Sequence, residues 1–166
     1  MRIYVRPGDS MWQYSWWFQL PLQLLVDSNP EVDPVRLQVG QALEIPGFVS
    51  TNYQIAAGDT LWQIANQRNV NVNAVLALNP EVNASQLQIG QTIQLPLRVT
   101  WMVVQGQREY NSAALNEDLS QLLAIYPFLR IRSIGNSVMN KRIPEVRAGT
   151  GSKQVHVNGS FHANEW

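Results

Sequence analysis

The stretch "GDSMWQ", Gly8 to Gln13, returns fifty residues later as "GDTLWQ", Gly58 to Gln63. How these two stretches are read decides the fold. Gly-Asp is a turn pair, because glycine reaches backbone conformations closed to other residues. Ser10 and Thr60 each stand three residues before a glutamine, the capping-box spacing that starts a helix. After the second box, Leu61, Ile64 and Ala65 fall at i, i+3 and i+4, a single buried helical stripe.

Outward from these boxes the self-similarity extends without a gap, with residues 3–46 falling on 53–96. Asn29-Pro30-Glu31-Val32 matches Asn79-Pro80-Glu81-Val82, and Gly40-Gln41 matches Gly90-Gln91. Before each box a short apolar stretch, "RIYV" or "YQI", predicts a strand. After it, Leu22, Leu25 and Val26 in the first unit predict a second short helix, as do Val72, Val75 and Leu76 in the second. Asn-Pro ends that helix, since a residue before proline avoids the α region. "QALEIP" and "QTIQLP" then alternate as strands closed by Pro46 and Pro96. The order strand, helix, helix, strand requires the two strands to pair antiparallel, with both helices on one face. A period of this length marks a chain built from repeated modules.

The pattern Gly-Asp-Ser/Thr-Met/Leu-Trp, then Asn-Pro, then Leu-x-x-Gly-Gln with Ile/Leu-Pro resembles the LysM module, in two tandem copies spanning 2–48 and 52–97. The resemblance implies binding of N-acetylglucosamine glycans, either peptidoglycan or a chitin-like polymer. In that family the sugar lies in a shallow groove between the loop that starts the first helix and the loop that ends the second. Carried onto this sequence, the groove residues are Gly8, Asp9, Ser10, Met11, Pro30, Glu31 and Val32 in unit one. In unit two they are Gly58, Asp59, Thr60, Leu61, Pro80, Glu81 and Val82. A plainer reading stands beside this one: the glycines serve the turn, Ser10 and Thr60 the cap, and the prolines the helix stop. The units differ at Trp16-Trp17-Phe18, which faces Asn66-Gln67-Arg68. These aromatics suit either sugar stacking or packing against the neighbouring unit, and their place beyond the family's groove favours packing.

The 166 residues are 45% hydrophobic, enough to bury cores for one ordinary domain or two or three small ones. Charge balances at 12 basic against 12 acidic residues, so no basic stripe points to nucleic acid. There is no cysteine, which excludes a disulfide framework and cysteine zinc sites. No apolar run approaches the length of a membrane span, and "MRIYVRPGDS" has no apolar core of a signal peptide. These features are compatible with the bacterial cytosol, the cell wall or a spore and choose none of them; the resemblance to a wall-directed module, with no leader visible, implies a mother-cell cytoplasmic, spore or cell-wall setting.

The last third, 102–166, belongs to neither repeat. "NSAALNEDLSQLLAIYP" predicts a helix capped by Asn111 or Ser112, with Leu115, Leu119, Leu122 and Leu123 as its stripe. "RIRSIG" predicts a strand, "SVMNKRIPEVRAG" two short strands about a turn at Asn140-Lys141, and "KQVHVNGS" a further strand. Helix then strands fits the opening of an α/β domain. At the far end His162 and Glu165 stand three apart, an imidazole and a carboxylate suited to zinc. Tyr126-Pro127, Ile134-Gly135-x-Ser137-Val138, Lys141-Arg142-Ile143-Pro144 and His162-Ala163-Asn164-Glu165-Trp166 resemble, in order, the N-terminal part of the zinc carboxypeptidase A-like family. Asn140 departs from that family's usual glycine, although asparagine also tolerates the turn. The resemblance implies that His162 and Glu165 are two of three zinc ligands. The third ligand, the general base and the substrate-holding arginines would lie downstream, and His156, inside a predicted strand, does not replace them.

The expectation is therefore an α+β chain: two small βααβ modules followed by an incomplete α/β zinc-peptidase domain. Together they look like the bacterial γ-D-glutamyl-diaminopimelate endopeptidases, with the modules holding the polymer that the peptidase cuts. Zinc belongs to the full-length parent, and this chain is expected to bind glycan but to hold no zinc tightly and to hydrolyse nothing. Nucleic acid and membrane are not expected partners. Two alternatives stand: a non-catalytic wall- or spore-binding protein with a vestigial tail, and a subunit completed by a second, catalytic polypeptide.

Overall fold

The structure is a computed structural model and describes residues 1–104 and 106–157. It carries the repeat as two copies of one module. In the first, β1 (Arg2–Tyr4) is followed by α1 (Met11–Trp17), α2 (Leu22–Asp27) and β2 (Ala42–Glu44). In the second, β3 (Phe48–Gln54) is followed by α3 (Leu61–Gln67), α4 (Val72–Leu78) and β4 (Thr92–Arg98). Strands β1 and β2 pair antiparallel with Ile3 opposite Leu43, and β3 and β4 do the same with Tyr53 opposite Ile93. Both capping boxes form. Ser10 accepts from the Gln13 amide and Thr60 from the Gln63 amide, while each glutamine side chain accepts from the amide of its cap residue.

The two cores repeat with the sequence. Val5, Met11, Tyr14, Leu25, Leu43 and Ile45 fill the first, and their counterparts Ile55, Leu61, Ile64, Val75, Ile93 and Leu95 fill the second. One strand exceeds its expected end: β4 runs through Pro96, which pairs with Ser50, as far as Arg98. In a two-stranded sheet every strand is an edge, so a proline without an N–H is tolerated with that side facing out.

The modules also share a core. Trp17, Phe18 and Phe48 are buried in one cluster with Ala74 and Ala77 of α4. Phe18 meets Phe48 edge-on at a centroid separation of 5.3 Å, and Arg98 donates from Nη2 to the Phe18 carbonyl at 2.8 Å. The packing reading therefore holds for Trp17 and Phe18, while Trp16 remains on the surface.

The last third begins with α5 (Ser112–Ile125), capped by Asn111, whose side chain accepts from the Ala113 and Ala114 amides. Its leucine stripe is only half-buried; Ala114 and Asp118 are the buried residues. The helix end meets the first module where the Gly47 amide donates to the Ile125 carbonyl at 2.8 Å. A single hairpin follows, β5 (Arg130–Asn136) with β6 (Arg142–Arg147), bulged between Ser133 and Gly135. This corrects the expected strand at 137–139: those residues form the hairpin turn, closed by Asn140 at φ 57°. It also corrects the strand expected from Lys153, because residues 153–157 form no strand ladder.

Glu145 anchors the hairpin between Arg132 and Arg147. The hydrogen bond from Arg132 chiefly, then that from Arg147, holds its carboxyl below the ordinary 4.5. A depressed carboxyl stabilises the fold at pH above its unfolded value and loses that contribution as pH falls through the folded value. Carbon-13 titration of Glu145 is expected to show a midpoint below 4.5, with hairpin amides losing exchange protection over the same range. An ordinary midpoint would mean that the two arginines are not engaged.

Candidate functional site

The loop entering each first helix is built around a glycine and an aspartate. Gly8 and Gly58 sit at φ +83° and +85° with nothing within 4 Å of where a Cβ would stand. The turn conformation demands glycine, and the open space leaves the loop backbone approachable. Asp9 accepts from Arg6 Nε at 2.8 Å and from the Tyr14 hydroxyl at 2.6 Å. Burial first, and the bond to Asp9 second, push the Tyr14 phenol well above its ordinary value. Asp59 is held differently, by the Tyr53 hydroxyl and the Ala56 amide, both at 2.8 Å. Both aspartates are therefore engaged in shaping the turn.

The loop leaving each second helix hangs from a buried asparagine. Asn29 Nδ2 donates to the Leu25 carbonyl at 2.8 Å and the Glu44 carbonyl at 2.9 Å, and its Oδ1 accepts from the Glu44 amide at 2.7 Å. Asn79 repeats this with the Val75 carbonyl and with both backbone groups of Gln94, each at 2.7 Å. The asparagine stitches the helix end to the second strand. Asn-Pro does more than stop a helix, and the exact repetition of Asn29 at Asn79 was the signal for it.

Within these loops Gly8, Gly58, Pro30, Glu31, Pro80, Glu81 and Thr60 are exposed, and Asp9, Ser10, Val32 and Asp59 half-buried. Met11 and Leu61 are only 2% and 3% exposed and Val82 is buried, so the side chains of these three are closed to a ligand. What the loops present on the surface is the glycines, the prolines and Glu31 and Glu81. Trp12 and Trp62 stand exposed at 64% and 66%, off the buried stripe. In unit one Trp16 joins Trp12 one helical turn on, and the two line a cleft with Ser15, Gln19, Leu20 and Asn71.

His162 and Glu165 lie outside the described residues. Among the described residues no group of three or more His, Cys, Asp or Glu side chains comes together. A catalytic zinc takes three protein ligands, and the sequence reading offers His162 and Glu165 as two of them.

The described architecture is a pair of tandem βααβ modules with a helix and hairpin appended. The LysM domain family matches residues 3–46 and 53–96, and the chain belongs to it. LysM domains bind N-acetylglucosamine polymers such as peptidoglycan or chitin. Over all 166 residues the chain is 62% identical to gamma-D-glutamyl-L-diamino acid endopeptidase 1 of Lysinibacillus sphaericus, covering 42% of that protein. It is 37% identical over 65 residues to the uncharacterised protein YqgT of Bacillus subtilis (strain 168), covering 38% of this chain and 17% of that one. The LysM domain of a Volvox carteri chitinase, 43% identical, matches in full against 30% of this chain with a TM-score of 0.29. The chain thus spans less than half the length of the curated relatives it matches. No described helix is long and apolar enough to cross a membrane.

Proposed function

We propose that this chain is the wall-binding part of a cell-wall endopeptidase that acts on γ-D-glutamyl-L-diamino acid linkages of peptidoglycan. The observation that carries the reading is the 62% identity to 42% of the Lysinibacillus endopeptidase, which runs across both modules and the appended segment of this chain. The modules hold an insoluble polymer through their paired loops, at Gly8 to Met11 and Pro30 to Val32, and again at Gly58 to Leu61 and Pro80 to Val82. His162 and Glu165 are two zinc ligands of that peptidase. The setting is the cell wall or the spore. The alternative of a binding protein with a vestigial tail predicts the same glycan affinity and no gain of activity in any longer chain.

Two modules on one chain raise affinity through effective concentration. Residues 1–97 are expected to sediment with purified peptidoglycan, and a chain holding a single module to bind about a hundredfold more weakly. Equal affinity for one and two modules would show that a single loop pair does the binding. Failure of both to bind would overturn the glycan reading.

A further inference from the structure

A cleft of about 320 Å³ lies between the modules, lined by Trp17 and Phe18 of the first and by Phe48, Leu95 and Leu97 of the β3–β4 sheet. Two arginines line it, Arg68 from the end of α3 and Arg98 from the end of β4. No aspartate or glutamate lines it, and among the described residues neither arginine makes an ion pair. Arg98 is held in place, with its guanidinium 4.7 Å over the Phe48 ring and Nη2 donating to the Phe18 and Gln19 carbonyls at 2.8 and 3.3 Å. Arg68 lies 5.7 Å from the Tyr53 ring centre. Asn69, Asn71 and Thr51 add polar groups to the same wall.

Two unneutralised guanidinium groups in a concave, partly apolar site present donors to an oxyanion, and the anion that a peptide polymer carries is a carboxylate. We infer that this cleft binds a carboxylate of the polymer's peptide, so that the module pair distinguishes peptidoglycan from a neutral chitin-like chain. The inference rests on the glycan-binding reading above. It draws on the bond named for the Lysinibacillus relative: a glutamyl residue linked through its γ-carboxyl keeps its α-carboxylate free and charged. The cleft belongs to the module pair and not to either module, since Trp17 and Phe18 come from one, Arg68 and Arg98 from the other. It also adjoins the Trp12–Trp16 face, sharing Gln19 and Asn71 with it. A sugar ring on the indoles and an acidic peptide on the arginines would thus fit neighbouring surfaces.

The test uses the full chain and three probes: a soluble peptidoglycan fragment, the same fragment with its carboxylates amidated, and an N-acetylglucosamine oligomer. Amidation is expected to weaken binding by about tenfold, the worth of one charge-assisted contact. Arg68→Gln, at an exposed position, is expected to bind both fragments alike at the weaker level and to bind the neutral oligomer as the parent chain does. Arg98→Gln should do the same where it folds. Equal binding of the two fragments by the parent chain overturns the inference, as does an unchanged ratio in Arg68→Gln. The glycan reading fails separately, by loss of the neutral oligomer. In that case nitrogen-15 titration with a γ-D-glutamyl dipeptide and its α-amide still decides the cleft. Shifts of the Arg68 and Arg98 side-chain signals by the acid alone support it, and equal response to both forms overturns it.

Discussion

Phe18→Ala is expected to lower the unfolding free energy by about 4 kcal/mol, the range for truncating a buried phenylalanine. Phe18 is only 2% exposed and lies in the cluster that joins Trp17 and Phe48 to Ala74 and Ala77 of the second module. The alanines are small, so they bring α4 close, and removing the ring takes away the contact that joins it to Phe48. The counterpart in the second module is Arg68, whose side chain is exposed. Arg68→Ala is expected to change stability by roughly 0.5 kcal/mol or less. Urea unfolding followed by far-ultraviolet circular dichroism gives both numbers. A loss below about 1 kcal/mol for Phe18→Ala would mean that the ring is not packed between the modules. A second effect separates shared packing from local packing. If the modules unfold together in the parent chain, the variant should uncouple them into two transitions.

Much of the module was legible because its signals are local. Ser10 with Gln13, and Thr60 with Gln63, lie three residues apart, and both boxes form as their spacing predicts. The fifty-residue repeat then placed each strand opposite its partner with no further information. What was illegible is long-range. Arg98 reaches the Phe18 carbonyl across 80 positions, and a backbone acceptor has no residue type to betray it. The arginine cleft exists only once both modules are packed, so neither Arg68 nor Arg98 stands out in the sequence. Met11 and Leu61 were assigned to the glycan groove by position, but both are apolar residues at the first turn of an amphipathic helix. Their side chains turn into the core. In the last third the leucines of α5 were expected to be covered. They are half-exposed, and the buried residues of α5 are Ala114 and Asp118. The zinc candidates fall outside the described residues, so their geometry adds nothing to their spacing.

Asn79→Ala is expected to cost about 3 kcal/mol, about 1 kcal/mol for each of three hydrogen bonds, one buried and two partly buried. The side chain is 3% exposed, and its removal leaves the Val75 and Gln94 carbonyls and the Gln94 amide without their partner. Water cannot readily replace it at a site closed by the helix end and the strand. Asn79→Asp keeps nearly the same shape and separates the two causes. Its oxygen can still accept from the Gln94 amide, but the other oxygen then faces two carbonyls that Nδ2 had satisfied. The repulsion and the burial both disfavour the ionised form, so the new carboxyl titrates above its unfolded value. The sign follows: the variant is most stable at pH below the unfolded value and loses stability as pH rises through the folded one. Asn79→Ala shows no such pH dependence. Matched pH profiles from chemical denaturation would therefore distinguish lost hydrogen bonds from lost shape, and parallel profiles would sink the argument. The same residue immediately precedes Pro80, Glu81 and Val82. Under conditions where the variant stays folded, a loosened clamp is expected to free that loop and weaken glycan binding by the second module. The Asn29 clamp, and the loop of the first module, would remain intact.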